Sequence, residues 1–305
     1  MSECEEKYAL KLNLKGHKKP ITGISFNPNG KDFATSSEDH TIMVWNFAQN
    51  TRSYNFKGHN DSVTCVEYSP NGEFLASCSE DQTLRIWVTK QSQMGTCLEM
   101  RAHLSPIRCL AFAPQGNQIL TGSNDKSIKL WSVTRKQFLK SFVGHTSWVR
   151  SLQFAPDGQK IVSCADDQTV RVWDPTTGQN VHTFRTSKAG PCHVALHPDG
   201  NHIAVAMNSG SVRVYDVRTE KLNQHYVLHD STTCVCWHPC ANFLLTSGKD
   251  GKVNLVDIME ARPLYTFQGH EGAVMAVKFN QGGDFFATGG ADKRVMVWNL
   301  NLGSL

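Results

Sequence analysis

Three residue types that together perform nucleophilic catalysis meet near the middle of the chain. His145 lies in the stretch GHTSWV, and SCADD further on supplies Ser163 and Asp167. A serine hydroxyl activated by a histidine, itself oriented by an acid, is the arrangement that drives acyl transfer. A second constellation, Cys234, Cys236, His238 and Cys240, offers the sulfur and nitrogen ligands that zinc takes. What either group does depends on the elements that carry it.

The chain bounds those elements. It has 305 residues, 40% hydrophobic and 19% charged, with a net charge of +4. Such a composition supports a packed core and argues against wholesale disorder. No apolar run approaches the roughly 18 residues of a membrane helix, and MSECEEKY lacks the apolar stretch of a secretory signal. A cytoplasmic chain with its ten cysteines reduced is expected, without a membrane partner. No long Lys/Arg cluster or aromatic RNA-binding signature occurs, so nucleic acid is not expected as a partner. The mild positive charge suits protein partners of acidic character.

The histidine is repeated. Slots equivalent to His145 hold His17, His59, His103, His229 and His270, at steps of 42, 44, 42, 84 and 41 along the chain. The double step implies a seventh, degenerate copy whose slot is Ser187. Each slot is followed 28 residues later by a second landmark: Trp45, Trp87, Trp131, Trp173, Tyr215 and Trp298, with Val256 at a spacing of 27. Turns recur in phase, from Pro28, Pro70, Pro114, Pro156 and Pro198, each with glycine two places on. Proline presets the first corner of such a turn and glycine accepts positive φ. Units six and seven deviate, with PCA at Pro239 and QGG at Gln281.

Between the turns run short β-rich segments such as KIVSCA and TVRVWD. Four short strands in about 42 residues, seven times over, predict an all-β protein with one propeller blade per unit. The position three before each Asp slot is small in all copies: Ser36, Cys78, Gly122, Cys164, Ala206, Ser247 and Gly289. These GH…WD units resemble the WD40 repeat family along nearly the whole chain. The resemblance implies a seven-bladed WD40 β-propeller, a single domain over residues 1–305, in which segment 8–14 (YALKLNL) adds the missing strand to the last blade. Closure of that kind removes an open sheet edge.

The same resemblance implies a role for the histidines. In this family one Ser/Thr, one His, one Asp and the Trp of a blade form a hydrogen-bonded chain. Carried over, the sets are Thr35, His17, Asp39 and Trp45; Ser77, His59, Asp81 and Trp87; Thr121, His103, Asp125 and Trp131; Ser163, His145, Asp167 and Trp173; and Thr288, His270, Asp292 and Trp298. Unit six keeps Thr246, His229 and Asp250 but has Val256 at the Trp slot. Unit five has Val205, Ser187, Ser209 and Tyr215. It lacks the first three members together, as expected when one orphaned buried group costs about 1–3 kcal/mol. Unit five is therefore expected to be the least rigid, and its loop 185–192 is either a specialised surface or drift. A catalytic triad occurs once per active site. A set present in six of seven units is scaffold, so no catalytic residue is expected.

The cysteine constellation meets the same test. Cys234 shares its column with Cys65, Cys109 and Ser151, a small packing slot, and Cys236 shares its column with Glu67 and Gln153. Structural cysteines, not a metal site, are expected. No GxxxxGK[ST], HExxH or GxSxG motif occurs, and no cofactor is expected.

Trp148 is the exception among the tryptophans. Its equivalents are Pro20, Ser62, Pro106, Gly190 and Ala273. In WD40 propellers this position opens on the top rim of the channel. Arg150 lies two residues on, Arg108 is its equivalent in unit three, and the residues before the Asp slots add Glu80, Asp166 and Lys249. A protein-binding site at Trp148, Arg150, Arg108, Glu80, Asp166 and Lys249 is predicted, since aromatic residues and arginine dominate interface hot spots. The alternative is a cation–π pair that contacts no partner.

Segments outside the general repeat, TRKQFLKSFVGHTSWVRSLQFAPDG, VYDVRTEKLNQHYVLHDS and ARPLYTFQGHEGAVMAVKF, resemble the proteome-of-centriole-one family. That resemblance implies a non-catalytic scaffold of centrioles and basal bodies that supports microtubule triplets and cilium formation, with tubulin and other centriolar proteins as partners. Family members carry a coiled coil after the propeller. This chain stops at NLGSL without one, so the propeller is expected to be monomeric. The other role open to such a fold is a general adaptor, for example a ubiquitin-ligase substrate receptor or a chromatin-complex subunit.

Overall fold

A computed structural model describes residues 9–47, 51–89, 94–186 and 189–300. Twenty-eight strands, β1 to β28, and no helix occur among the described residues. They form seven four-stranded antiparallel sheets. In chain order the first six sheets are β2–β5 (within 21–57), β6–β9 (63–101), β10–β13 (107–143), β14–β17 (149–185), β18–β21 (191–227) and β22–β25 (232–268). The seventh joins β26–β28 (274–299) to β1 (Leu10–Lys15).

β1 closes the ring by pairing with β28 (Arg294–Asn299), from Leu10 opposite Trp298 to Lys15 opposite Arg294. Its alternation sets the register: Leu12 and Leu14 are buried while Leu10, Lys11, Asn13 and Lys15 are exposed. The strand lies slightly later than the expected 8–14, and Tyr8 falls outside the described residues. A one-residue slip would turn both leucines to solvent.

The core lies between neighbouring sheets. Val162, Val170, Val172 and Phe184 of the fourth sheet meet Val194, Leu196, Ile203 and Val205 of the fifth. Leu12 and Leu14 join Ile21, Ile24 and Trp45, so ring closure buries a hydrophobic cluster like the others. The small column is wholly buried, as sheets packed on both faces require.

The innermost strand of each sheet is an edge, and its backbone groups need partners. Side chains of the preceding sheet supply several of them. Tyr68 N–H donates to Ser25 Oγ at 2.9 Å, Phe112 N–H to Glu67 Oε2 at 3.0 Å, and Leu196 N–H to Gln153 Oε1 at 2.8 Å. Thr64 Oγ1 donates to Ile107 O at 2.7 Å. Adjacent sheets are thus tied by hydrogen bonds as well as by apolar packing.

The turn glycines Gly30, Gly72, Gly116, Gly158 and Gly200 have φ between 70° and 74°. In the deviant sixth unit Ala241 adopts the same left-handed conformation, at φ 74°.

Candidate functional site

The polar chains come first, because they fix the frame. In the fourth sheet Trp173 Nε1–H donates to Ser163 Oγ at 2.8 Å. Ser163 Oγ lies 2.8 Å from His145 Nε2, and His145 Nδ1 lies 2.8 Å from Asp167 Oδ2. One assignment satisfies every atom: the indole donates to the hydroxyl, the hydroxyl to Nε2, and Nδ1–H to the carboxylate. The same bonds occur in units one, two, three and seven. Ser163 is fully buried and its lone pairs face protein groups, so it cannot approach a substrate.

Burial alone would raise the carboxyls of Asp39, Asp81, Asp125 and Asp167. Hydrogen bonds from the histidine, a Thr or Ser hydroxyl and backbone N–H groups outweigh it, holding all four well below the usual carboxylate range.

The residue before the histidine is glycine in units one, two, four and seven and Ala102 in unit three, and the small size has a steric cause. A Cβ on Gly58, Gly144 or Gly269 would meet the Cη2 of Trp87, Trp173 or Trp298 at 3.1, 3.0 and 3.0 Å. Unit six, which has Val256 at the tryptophan slot, holds Leu228 there, packed against the cluster containing Val256. Asn254 then takes a place beside the shortened chain, with Nδ2 3.2 Å from both His229 Nε2 and Leu228 O. In unit five, Val205 and Tyr215 are buried in an apolar core, Ser209 Oγ lies 3.0 Å from Ser211 Oγ, and Ser187 is outside the described residues.

Cys234 and Cys236 are buried, and burial pushes both thiols up. Their sulfurs face backbone carbonyls of Val277 and Trp237 at 3.8 and 3.6 Å. His238 caps a turn instead: Nδ1 accepts Cys240 N–H at 3.0 Å and Nε2–H donates to Gly283 O at 3.1 Å.

The rim residues form one network. Trp148 is 43% exposed, just before β14 (Val149–Phe154). The Arg150 and Arg108 guanidinium carbons lie 5.2 and 6.0 Å from its ring centre. Arg150 makes a two-pronged pair with Asp166, Nε to Oδ1 at 2.7 Å and Nη2 to Oδ2 at 2.6 Å, and this bonding raises the arginine pKa further. Arg108 donates to Glu80 Oε1 at 2.5 Å and to Asn124 Oδ1 at 3.1 Å. The backbone aligns the group, because Asp166 N–H donates to Trp148 O at 3.0 Å.

Five of the six predicted rim residues therefore meet. Lys249 is exposed in the sixth sheet, with the fifth between it and the network, and no described contact links it to Trp148. The cation–π alternative and an accessible indole coexist. Each arginine is already neutralised by an acid, so the face offered outward is aromatic and not strongly basic. Sequence reasoning passed over Leu104, 82% exposed in the connection that precedes β10 (Ile107–Phe112). The signal was available: its equivalents Lys18, Asn60, Thr146, Asp230 and Glu271 are all polar.

Known proteins share both the repeat and shorter stretches of sequence. POC1 centriolar protein homolog A of Danio rerio is 42% identical over 54 residues, 18% of this chain and 13% of the relative. Cilia- and flagella-associated protein 52 of Mus musculus is 31% identical over 84 residues, 27% of this chain and 14% of the relative. WD40 repeat-containing protein HOS15 of Arabidopsis thaliana is 34% identical over 85 residues, 28% and 14% of the two chains. The aligned stretches span about a seventh or less of those relatives. The model of the WD domain, G-beta repeat, matches residues 9–46, 50–88, 95–132, 136–174, 178–216, 220–257 and 261–299. Each match begins with the outer strand of one sheet and ends within the next, the overlap that β1 and β28 complete around the ring. Seven such matches, seven sheets and the buried polar chains make this chain a member of the WD40 family.

Proposed function

We propose that this propeller is a non-catalytic docking platform of centrioles and basal bodies, which supports microtubule triplets and cilium formation. The observation that carries the reading is the 42% identity to a relative named as a centriolar protein, together with likeness to a protein named for cilia and flagella. The rim supplies the means. Trp148 presents an indole that two paired arginines hold in place, the composition of an interface hot spot. Centriolar proteins are the partners on this reading, and tubulin is one of them, its acidic surface steering toward a chain of net charge +4. The places of action are the cytoskeleton, the centrosome and the ciliary base. The test is localisation of the tagged chain in ciliated cells. Concentration at centrioles supports the reading, and a diffuse cytoplasmic or nuclear signal overturns it in favour of a general adaptor.

A further inference from the structure

The turn of unit five, HPDGNH (197–202), gathers two imidazoles around one carboxylate. It links β18 (Pro191–Leu196) to β19 (His202–Met207), at the end of β18 away from the β17–β18 connection. His197 Nδ1 lies 2.8 Å from Asp199 Oδ1, and His202 Nδ1 lies 2.8 Å from Asp199 Oδ2. One ligand atom from each residue lies within 4.8 Å of the others. This is the one such group of three among the described residues.

The hydrogen bonds leave one contact unexplained. His197 Nε2–H donates to Ala241 O at 3.0 Å, so Nδ1 of the neutral ring carries a lone pair. That lone pair accepts Asp199 N–H at 3.1 Å, yet it also sits 2.8 Å from the carboxylate oxygen. Two lone pairs at that distance repel, unless the ring is protonated or a cation joins them.

We propose that His197, Asp199 and His202 bind a divalent transition metal ion of the zinc class. Imidazole and carboxylate are its ordinary ligands, and tetrahedral bonds of about 2.0–2.1 Å place ligand atoms about 3.3 Å apart. The three atoms reach that spacing by small rotations of partly exposed side chains. His197 Nδ1 offers its lone pair once it gives up the Asp199 N–H. His202 offers its own once its proton moves to Nε2. Solvent completes the coordination, since the side chains of His197, His202 and Asp199 are 15%, 23% and 36% exposed. The ligands are braced from behind, as metal-binding histidines usually are. The Ala241 carbonyl fixes the His197 ring, Trp237 packs edge-on against it at 4.6 Å, and Asn201 N–H holds Asp199 Oδ1 at 2.7 Å.

The repeat supplies the control. Slots equivalent to His197, Asp199 and His202 hold Asn27, Asn29 and Asp32 in unit one, and Ser69, Asn71 and Phe74 in unit two. Only the unit that lacks the His–Asp chain combines all three ligands. Unit six comes nearest, with His238 Nδ1 2.8 Å from Cys240 Sγ and a phenylalanine, Phe243, at the third slot.

The test is calorimetric titration of the full chain with zinc chloride under reducing conditions, for the native protein, His202→Ala, Asp199→Asn/His202→Ala and Cys240→Ser. One zinc per chain is expected, with affinity lowered about tenfold or more by His202→Ala, lost in the double variant and unchanged in Cys240→Ser. Circular dichroism checks that each variant is folded. Binding by other thiols appears as a component shared by all four proteins. The proposal is overturned if the native protein and the double variant titrate alike, or if Cys240→Ser alone removes the bound zinc. Cobalt substitution reads the ligands independently: weak visible bands support nitrogen and oxygen ligation, and an intense sulfur-to-metal band contradicts it.

Discussion

The fourth and fifth sheets stand side by side and solve the same problem differently. The fourth links Trp173, Ser163, His145 and Asp167 by bonds of 2.8 Å. The fifth puts Val205 and Tyr215 in the corresponding places and fills its interior with Ile203, Met207 and Phe184 from its neighbour. Both remain four-stranded. The polar chain is therefore not required for a four-stranded blade, provided that its buried members are absent together. The exceptional groups differ as well. The fourth sheet adds an exposed indole at the end where the polar chains lie, and the fifth adds a histidine-rich turn at the other.

The largest effect expected from this contrast is on Trp173→Ala. It removes a fully buried indole and leaves Ser163 Oγ without the N–H it accepts, a loss of about 3–5 kcal/mol in urea unfolding. Tyr215→Ala removes a ring on which no such chain depends and is expected to cost less. Equal losses would break the contrast.

Below that come His145→Ala and Asp167→Ala, each expected to cost about 1–3 kcal/mol. The double variant should lose little more than the worse single one, because each removal orphans what the other would have removed. Strict additivity would mean that the chain is not a unit.

Acid separates the two sheets by pH. Asp167 has its pKa lowered in the fold, so its stabilisation is complete above the unfolded carboxyl value of about 3.9 and is lost as pH falls further. His193, on the inner strand of the fifth sheet, is lowered from 6.5 to about 4 by burial and by the positive charge of Lys278. It is held neutral, so its contribution is complete above pH 6.5 and declines as pH falls toward about 4. The stability of His193→Gln should be flatter across that upper window, and that of Asp167→Asn flatter only below it. Identical pH profiles for the two variants would contradict these assignments.

Much of the frame was legible from spacing together with the resemblance to the WD40 family. Spacing located the histidine and tryptophan slots, the resemblance implied their Ser/Thr and Asp partners, and the hydrogen bonds join them as implied in units one, two, three, four and seven. What spacing could not show were contacts between side chains of different units. The column of Glu67, Gln153 and Cys236 gave no sign that Glu67 Oε2 accepts the Phe112 N–H of the next sheet. The carboxylates of Glu80 and Asp166 were assigned to the rim, but nothing in the sequence said that they neutralise Arg108 and Arg150. Lys249 was grouped with them by its column, and a column runs round the whole ring whereas a contact reaches only the next sheet. The pairing of a small residue with tryptophan (Gly144 with Trp173, Ala102 with Trp131), and of Leu228 with Val256, was visible as co-variation inside one chain once the closeness of the two slots was known.

The smallest effect on stability belongs to Trp148→Ala. Its ring is 43% exposed, and unfolding free energy should change by no more than about 0.5 kcal/mol. Its recruitment is the most direct measure of whether repeated residues hold the ring while the exceptional one meets a partner. Tagged native protein and Trp148→Ala, at equal folded concentration, would be compared for the amount retained at basal bodies. The structure predicts an unchanged melting temperature and a retained fraction lower by about tenfold or more, as for a hot-spot aromatic. Full retention of a folded Trp148→Ala variant would contradict it.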